Sequence, residues 1–320
     1  MRPVSVGILS IGDMGLGIAK LLQAHGYRVL TVGLGRSEDT LARIRSASIE
    51  DLPSDQNLVI QSDYILSIVP PRDALATARR ISTACQLPDT MARRAEVPDH
   101  EGLGTRPKPC YIDLNAIPAR LAREIASTFS PASTSPSNDD GTVLCQFLDG
   151  GIIGAPPSQD SQSKSWQKPS LVTLNMKIIS ATVGSASTLK LSFAALTKGL
   201  TALAILSFAT AEKEEILPEL LEHLEEYSPH TAALCTRGVT GMPPKAYRWV
   251  EEMRGIGEAF DAEGSWRGLG ESVFGAFAEV YRTVAEETVL GQEKVGKRRR
   301  GTTVADVAQI MARNRVEQGE

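Results

Sequence analysis

The period of the hydrophobic pattern changes part-way along the chain. In the first half, short apolar runs alternate with stretches of helical spacing. Residues 4–9 read as a buried strand, and residues 14–24 place Met14, Ile18, Leu21 and Leu22 on one helical face. Gly26 stands where a left-handed residue would end that helix. Residues 28–32, 64–69, 110–114 and 143–148 read as further strands, and Pro70-Pro71 closes the run at 64–69. Helices are predicted at 37–44, with Ser37 as the cap, and at 118–127. Strands that alternate with helices pair in parallel, so the first half predicts an α/β fold with a doubly wound sheet.

From about residue 184 helical spacing takes over. Helices are predicted at 187–215, 218–227, 246–263 and 271–290, with a last one from 304 opened by the capping box Thr303-Val304-Ala305-Asp306. The expected domains are 1–180, α/β, and 181–320, all-helical. Three stretches, 86–109, 130–141 and 156–170, are rich in turn-forming and polar residues and predict loops that bury too little apolar area to order themselves. Residues 189–211 are apolar almost all round, interrupted by Lys190 and Lys198. The charge-free part, 199–211, is shorter than the roughly 20 residues a membrane crossing needs, so a buried core helix is expected.

Composition narrows the partners. With 42% hydrophobic residues, 22% charged residues and a net charge of −4, nothing global draws the chain to nucleic acid or an anionic membrane. The basic run at 297–300 is short and reads as a solvated face. The apolar run at the N-terminus is too short for a signal segment, and Cys85, Cys110, Cys145 and Cys235 are scattered without a C-x-x-C pair. A cytoplasmic protein with free thiols and no metal centre is expected. The four histidines are dispersed and no G-x-S-x-G elbow occurs, so neither histidine-based nor hydrolase chemistry is indicated.

The strongest local motif is Ser10-Ile11-Gly12-Asp13-Met14-Gly15, placed between the first strand and first helix. Gly12 lets backbone approach a pyrophosphate and Gly15 lets helix pack on strand, while the helix N-terminus offers N–H groups and partial positive charge. Ser10 replaces the first glycine of G-x-G-x-x-G. The end of the second strand reads Val32-Gly33-Leu34-Gly35-Arg36-Ser37, with no acid for a ribose 2′-hydroxyl until Glu38. Arg36 suits a 2′-phosphate, with Ser37 beside it, so the expected cofactor is NADP (NADPH) rather than NAD. A Rossmann-like domain is thus expected to seat the dinucleotide on Ser10, Gly12, Asp13, Met14, Gly15, Arg36 and Ser37, with Val69 and Pro70 shaping the loop over it.

Four segments resemble the superfamily of 6-phosphogluconate dehydrogenase and the β-hydroxyacid dehydrogenases, which includes 3-hydroxyisobutyrate dehydrogenase and the imine reductases. They are Gly12-Asp13-Met14-Gly15, Asp113-Leu114-Asn115-Ala116-Ile117-Pro118, Asp149-Gly150-Gly151-Ile152-Ile153-Gly154-Ala155-Pro156, and Gly184-Ser185-Ala186-Ser187-Thr188-Leu189-Lys190. Arg248-Trp249-Val250-Glu251-Glu252-Met253 is similar to the branch carrying a phosphogluconate-dehydrogenase-like C-terminal domain of unknown function. The resemblance implies a Rossmann-like domain, a helical domain that forms homodimers, and a small-molecule substrate exchanging hydride with the nicotinamide.

The resemblance also implies that Gly151, Ile152, Ile153 and Gly154 line the substrate, and that Lys190 is the catalytic lysine. In an apolar helix its charged form is disfavoured by desolvation, which suits it to give and take a proton. Lys198 lies eight residues on, at about 80° round the helix, and is expected to orient substrate or pair with an acid across the domain gap, or itself to act as the acid/base. Asn115 is expected to bond the nicotinamide amide or the substrate, or to cap its loop. Two positions depart from the family. Ile153 replaces the serine that holds a substrate carboxylate, and Ala194 replaces an asparagine one turn past the lysine. Both remove hydrogen-bonding groups, which points towards a less polar carbonyl, alcohol or imine. A nucleotide-binding protein without turnover is the alternative from another class.

Overall fold

The computed structural model describes residues 2–99, 106–130, 145–154, 156–158, 174 and 176–317. The chain forms two compact units, Met1–Lys190 and Leu191–Glu320.

The first unit is built on six parallel strands: β1 (Ser5–Ile8), β2 (Arg28–Thr31), β3 (Glu50–Asp51), β4 (Tyr64–Ser67), β5 (Cys110–Asp113) and β6 (Gln146–Asp149). Their order is β3-β2-β1-β4-β5-β6, a doubly wound sheet that reverses direction between β1 and β4. Period-2 alternation assigns the faces. Val6, Ile8, Val29, Leu66, Cys110 and Ile112 enter one core layer with Ile18, Ala19 and Leu22 of helix α1 (Asp13–Ala24). Leu30, Ile65 and Tyr111 enter the other. Ile44 of α2 (Glu38–Ser46) joins the first layer, and the second is closed by α3 (Asp55–Gln61), α4 (Ala74–Gln86) and α6 (Ala119–Thr128), which supply Leu58, Ile81 and Ile125.

The expected strands at 28–32, 64–69 and 110–114 are present with ends shifted by a residue or two, and Ser37 caps α2 as expected. Gly26 follows α1 at φ +82°, the conformation for which it was read. Strand β3 and helices α3 and α4 are additions to the sequence expectation. Residues 143 and 144 of the strand expected at 143–148 lie outside the described residues, as do most of the expected loops at 130–141 and 156–170.

The expected loop at 86–109 is corrected. Helix α5 (Pro88–Ala95) lies within it, and Arg94 is buried. Its guanidinium donates to the carbonyls of Val59, Ile60 and Ser62 at 2.7, 3.3 and 2.5 Å, and to Pro107 O at 2.6 Å. Arg106 donates to Ile60 O and Gln61 O, both at 2.7 Å, and pairs with Asp63. Carbonyls at the end of α3 have no intrahelical donor, and two arginines from this segment supply one. Low hydrophobicity did not prevent order, because the ordering interactions are polar.

The second unit takes in most of the long helix α7 (Ser185–Lys213), then α8 (Leu217–Tyr227), α9 (Pro229–Gly241), α10 (Ala246–Gly264), α11 (Leu269–Glu287) and α12 (Val304–Glu317). Only α9 is absent from the sequence expectation. The capping box at Thr303 forms by half. Thr303 Oγ1 accepts from Asp306 N at 3.2 Å, but the Asp306 carboxylate turns to Arg300 and Gly301 N. The basic run is exposed at Lys297, Arg299 and Arg300 as expected, while Arg298 donates inward to Thr240 O at 2.5 Å. The buried-core expectation for α7 holds for one side. Leu191, Ala202, Ile205 and Phe208 are buried, while Leu189, Phe193, Leu196, Leu203 and Leu206 are exposed, Leu196 to 76%. Half of its apolar window is buried inside the protein.

Candidate functional site

The carboxyl ends of β1 and β4 flank the reversal of strand order, where an open α/β sheet leaves a crevice for ligands. Ser10 follows β1 there without adopting a positive φ, so the turn tolerates a side chain in place of the missing glycine. Gly12 is the N-cap of α1, extended at φ −75° and ψ −171°, with no side chain capping the helix. The first helical bond runs from Leu16 N to Gly12 O at 2.8 Å, which leaves the preceding amides without intrahelical acceptors.

The two glycines are needed for different reasons. A Cβ on Gly15 would lie 1.9 Å from Ser10 O, so no other residue fits the helix against the turn. A Cβ on Gly12 would meet nothing nearer than Ser10 Oγ at 4.0 Å. The space over Gly12 is open, and a side chain would fill the approach a phosphate needs. These residues fit a dinucleotide diphosphate. Asp13, exposed in the first turn, is the one acid among them.

Arg36 folds back from the β2 end and donates to Leu9 O at 2.8 Å, beside the glycine turn. Partial burial, with Arg80 nearby, pushes its pKa down. Ser37 spends its hydroxyl on the α2 cap, accepting from Thr40 N at 3.4 Å. An acid sought at the end of β2 arrives from its neighbour instead. Asp51 of β3, in register with Thr31, accepts from Gly33 N at 2.7 Å. Its position was invisible to a count along the chain, because only strand pairing brings it there.

At the ends of β5 and β6 two aspartates stand in register, Asp113 beside Asp149. Asp113 is fully buried and accepts from Asn115 N at 2.9 Å and Asn115 Nδ2 at 3.0 Å. Burial pushes its pKa up to about 6, against the opposing pull of the Asn115 bonds. Asn115 also donates to Ser67 Oγ at 2.9 Å and accepts from Val69 N at 2.7 Å. This geometry matches the loop-capping reading of Asn115. Its side chain is 3% exposed with both amide hydrogens committed, so it ties the β5 loop to the β4 loop. Val69 and Pro70 are thereby fixed at the crevice, and Pro70 O accepts from Asp73 N at 2.9 Å to start a 3-10 turn.

Asp149 points the other way. Its carboxylate accepts from the first turn of α7, the helix that carries Lys190. Gly151, two residues past β6, lies against that helix, and a Cβ there would come within 2.9 Å of Lys190 Cβ. Ile152 packs on the core layer of α1, while Ile153 is 40% exposed and Gly154 exposed with φ +122°. The expected substrate segment and Lys190 therefore meet within the first unit. Ala155 of that motif lies outside the described residues.

Lys198 has a different setting. It forms an ion pair with Glu252 of α10, the two side chains 14% and 12% exposed, and its ammonium lies 5.2 Å from the centroid of Trp249. Trp249 meets Tyr281 edge-on at 5.1 Å, and Tyr281 donates to Lys198 O at 2.5 Å. Glu252, the acid in this pair, belongs to the helical unit itself rather than lying across the domain gap. Glu252 and Trp249 were quoted in the sequence only as part of a motif, without roles. Their spacing of three on a predicted helix, presenting an acid and an aromatic together, is the signal that could have found them.

Residues 5–89 match the family model of the coenzyme F420-dependent NADP oxidoreductases, and residues 211–284 match a domain of unknown function (DUF1932). An uncharacterised 28.5 kDa protein of Methanothermus fervidus is 24% identical over 255 residues, covering 78% of this chain and 87% of that one. A 3-hydroxyisobutyrate dehydrogenase from Salmonella typhimurium superposes with a TM-score of 0.58 at 17% identity, covering 96% of this chain and 99% of that one. A conserved protein of unknown function, described as structurally similar to 3-hydroxyacid dehydrogenases, gives 0.56 at 18%, covering 88% and 98%. The resemblance drawn from the four segments holds at this level, and the fold is that of the hydroxyacid dehydrogenases.

Proposed function

We propose that this chain is a cytoplasmic NADP(H)-dependent oxidoreductase that moves hydride to or from a small carbonyl or alcohol, with Lys190 as general acid/base. The observation that carries it is the pairing, within one unit, of an open glycine turn into α1 with a lysine packed on Gly151. The match of residues 5–89 to NADP oxidoreductases supports the same reading. Reduced nicotinamide, when bound, supplies the hydride. The amides at the start of α1 bind the diphosphate, and Arg36 is assigned to the 2′-phosphate once it leaves Leu9 O. Asn115 orients the loops under the crevice. Lys190 Nζ gives a proton to the substrate oxygen in reduction and takes one back in oxidation.

Ile153 bears on the substrate. An exposed aliphatic side chain stands where a carboxylate-binding hydroxyl belongs, so a substrate without a carboxylate at that point is favoured, a cyclic imine included. Lys198, held by Glu252, is proposed to shape the substrate end rather than to transfer protons.

NADPH consumption over a panel of ketones, aldehydes, hydroxy acids and imines tests the function. Turnover of at least one class, abolished in Lys190→Met, is expected. Calorimetry that shows no uptake of either reduced pyridine nucleotide would overturn it. We also propose a homodimer through the helical domain, taken as residues 181–320. The exposed series Leu189, Phe193, Leu196, Leu203 and Leu206 has the spacing of a helix–helix seam. A monomer by light scattering at micromolar concentration would refute it.

A further inference from the structure

We propose that Asp149 is a positioning residue, which clamps the first turn of α7 to the end of β6 and so sets Lys190 against Gly151. The clamp uses the whole carboxylate. Oδ2 accepts from the N–H groups of Gly184, Ala186 and Ser187 at 2.8, 3.0 and 3.2 Å, and Oδ1 accepts from Ser187 Oγ at 2.6 Å. These are orphan donors of a helix N-terminus, and a carboxylate satisfies them with charge of the favoured sign. Ser187 and Gly184 are buried, so two of the three amides held by Asp149 are shielded from bulk water.

The geometry on either side leaves little freedom. Gly184 turns the chain into α7 at φ +104°, and a Cβ on it would lie 2.6 Å from Ala119 Cβ. On the strand side, a Cβ on Gly151 would lie 2.9 Å from Lys190 Cβ and 3.2 Å from Ala186 O. Ala186 and Lys190 are one helical turn apart on the same face. Asp149 therefore grips α7 at Ala186, and two residues later the same segment meets α7 at Lys190. Freeing the first turn removes the reference that holds Lys190 in place, and an ångström of misplacement at a proton-transferring group costs roughly a hundredfold in rate.

The kinetic part of this inference rests on Lys190 being the acid/base, so the experiment reads the clamp and the chemistry separately, in the full-length enzyme. Asp149→Ala is expected to speed amide exchange at residues 184–187, to lower kcat by roughly ten- to a hundredfold, and to leave the Kd for NADPH within about twofold. Asp149→Asn keeps one acceptor oxygen and is expected to recover part of both losses, which also guards against a variant that fails to fold. Unchanged exchange at 184–187 in Asp149→Ala would overturn the clamp, whether or not the wild type turns over. Faster exchange with an unchanged kcat would overturn the positioning of Lys190. A wild type that binds NADPH and reduces nothing would refute the proposed function, while the exchange measurement would still decide the clamp.

Discussion

Lys190 and Lys198 lie eight residues apart on one helix, yet they sit among different kinds of polar group. In the unit that carries Lys190 the carboxylates at the strand ends serve backbone: Asp113 holds the amide of Asn115, and Asp149 holds three amides of the α7 entrance. Around Lys198 side chains satisfy one another, with Glu252 on the ammonium and Trp249 beneath it. The first arrangement fixes where loops and helix ends go, and it leaves an open crevice beside them. The second fixes how helices pack. A lysine near a crevice and a lysine in a helical core can share a face of one helix without sharing a task.

The sharpest way to break this contrast is to remove each lysine in turn. Lys190→Met should lower kcat by roughly 100- to 10,000-fold, the range of a lost general acid/base, with little change in thermal midpoint. Glu252→Gln should do the reverse. Breaking a buried ion pair from one side costs about 3–5 kcal/mol, because the remaining charge stays buried. Urea unfolding should show that loss, while turnover at saturating substrate falls far less than in Lys190→Met. If Glu252→Gln were as inactive as Lys190→Met and as stable as wild type, the division of labour would be wrong.

Two aspartates of the first unit offer a test by pH. Burial raises the Asp113 pKa from its ordinary value to about 6, so between about pH 4 and 6 the folded state holds a proton that the unfolded state has lost. Stability from this group therefore falls as pH rises through that window, by an amount on the order of 3 kcal/mol at completion. Asp63, held down to about 2 by its bonds with Arg2, Ser5 and Arg106 against an opposing desolvation, has the opposite sign. Its contribution is present above about pH 4 and is lost as the pH falls towards 2. Asp113→Asn should flatten the decline between pH 4 and 6 and leave the acid limb alone. Equal slopes for variant and wild type across that window would refute the assignment.

What could be read from sequence divides along the same line. Five of the six strands were legible because they are short apolar runs between helical stretches, and the glycine turn because Gly12 and Gly15 act within a few residues of themselves. Helix α5 was not, because Arg94 orders it through carbonyls some 35 residues away. Helix α9 buries only Ala232, Cys235 and Val239, two of them small, and so has a weak apolar stripe. Asn115 was placed in the right loop with its role left open, since its partners Ser67 and Val69 come from another strand. Chemistry carried by adjacent residues shows in a sequence, and chemistry assembled by strand pairing or helix packing does not.

The smallest effect sharpens the comparison on the Lys198 side. If Trp249 stabilises the lysine through its ring face, Trp249→Leu removes that attraction, about 0.5–2 kcal/mol for a largely desolvated pair, along with the edge contact to Tyr281. The single variant mixes these losses with repacking, so the informative quantity is the coupling between Trp249→Leu and Lys198→Met in a double-mutant cycle. A coupling of about 1 kcal/mol in unfolding free energy is expected, together with a kcat for Trp249→Leu within about threefold of wild type. A coupling near zero would leave Glu252 as the sole stabilising partner among these residues, and the ring would then matter only for the apolar area it buries.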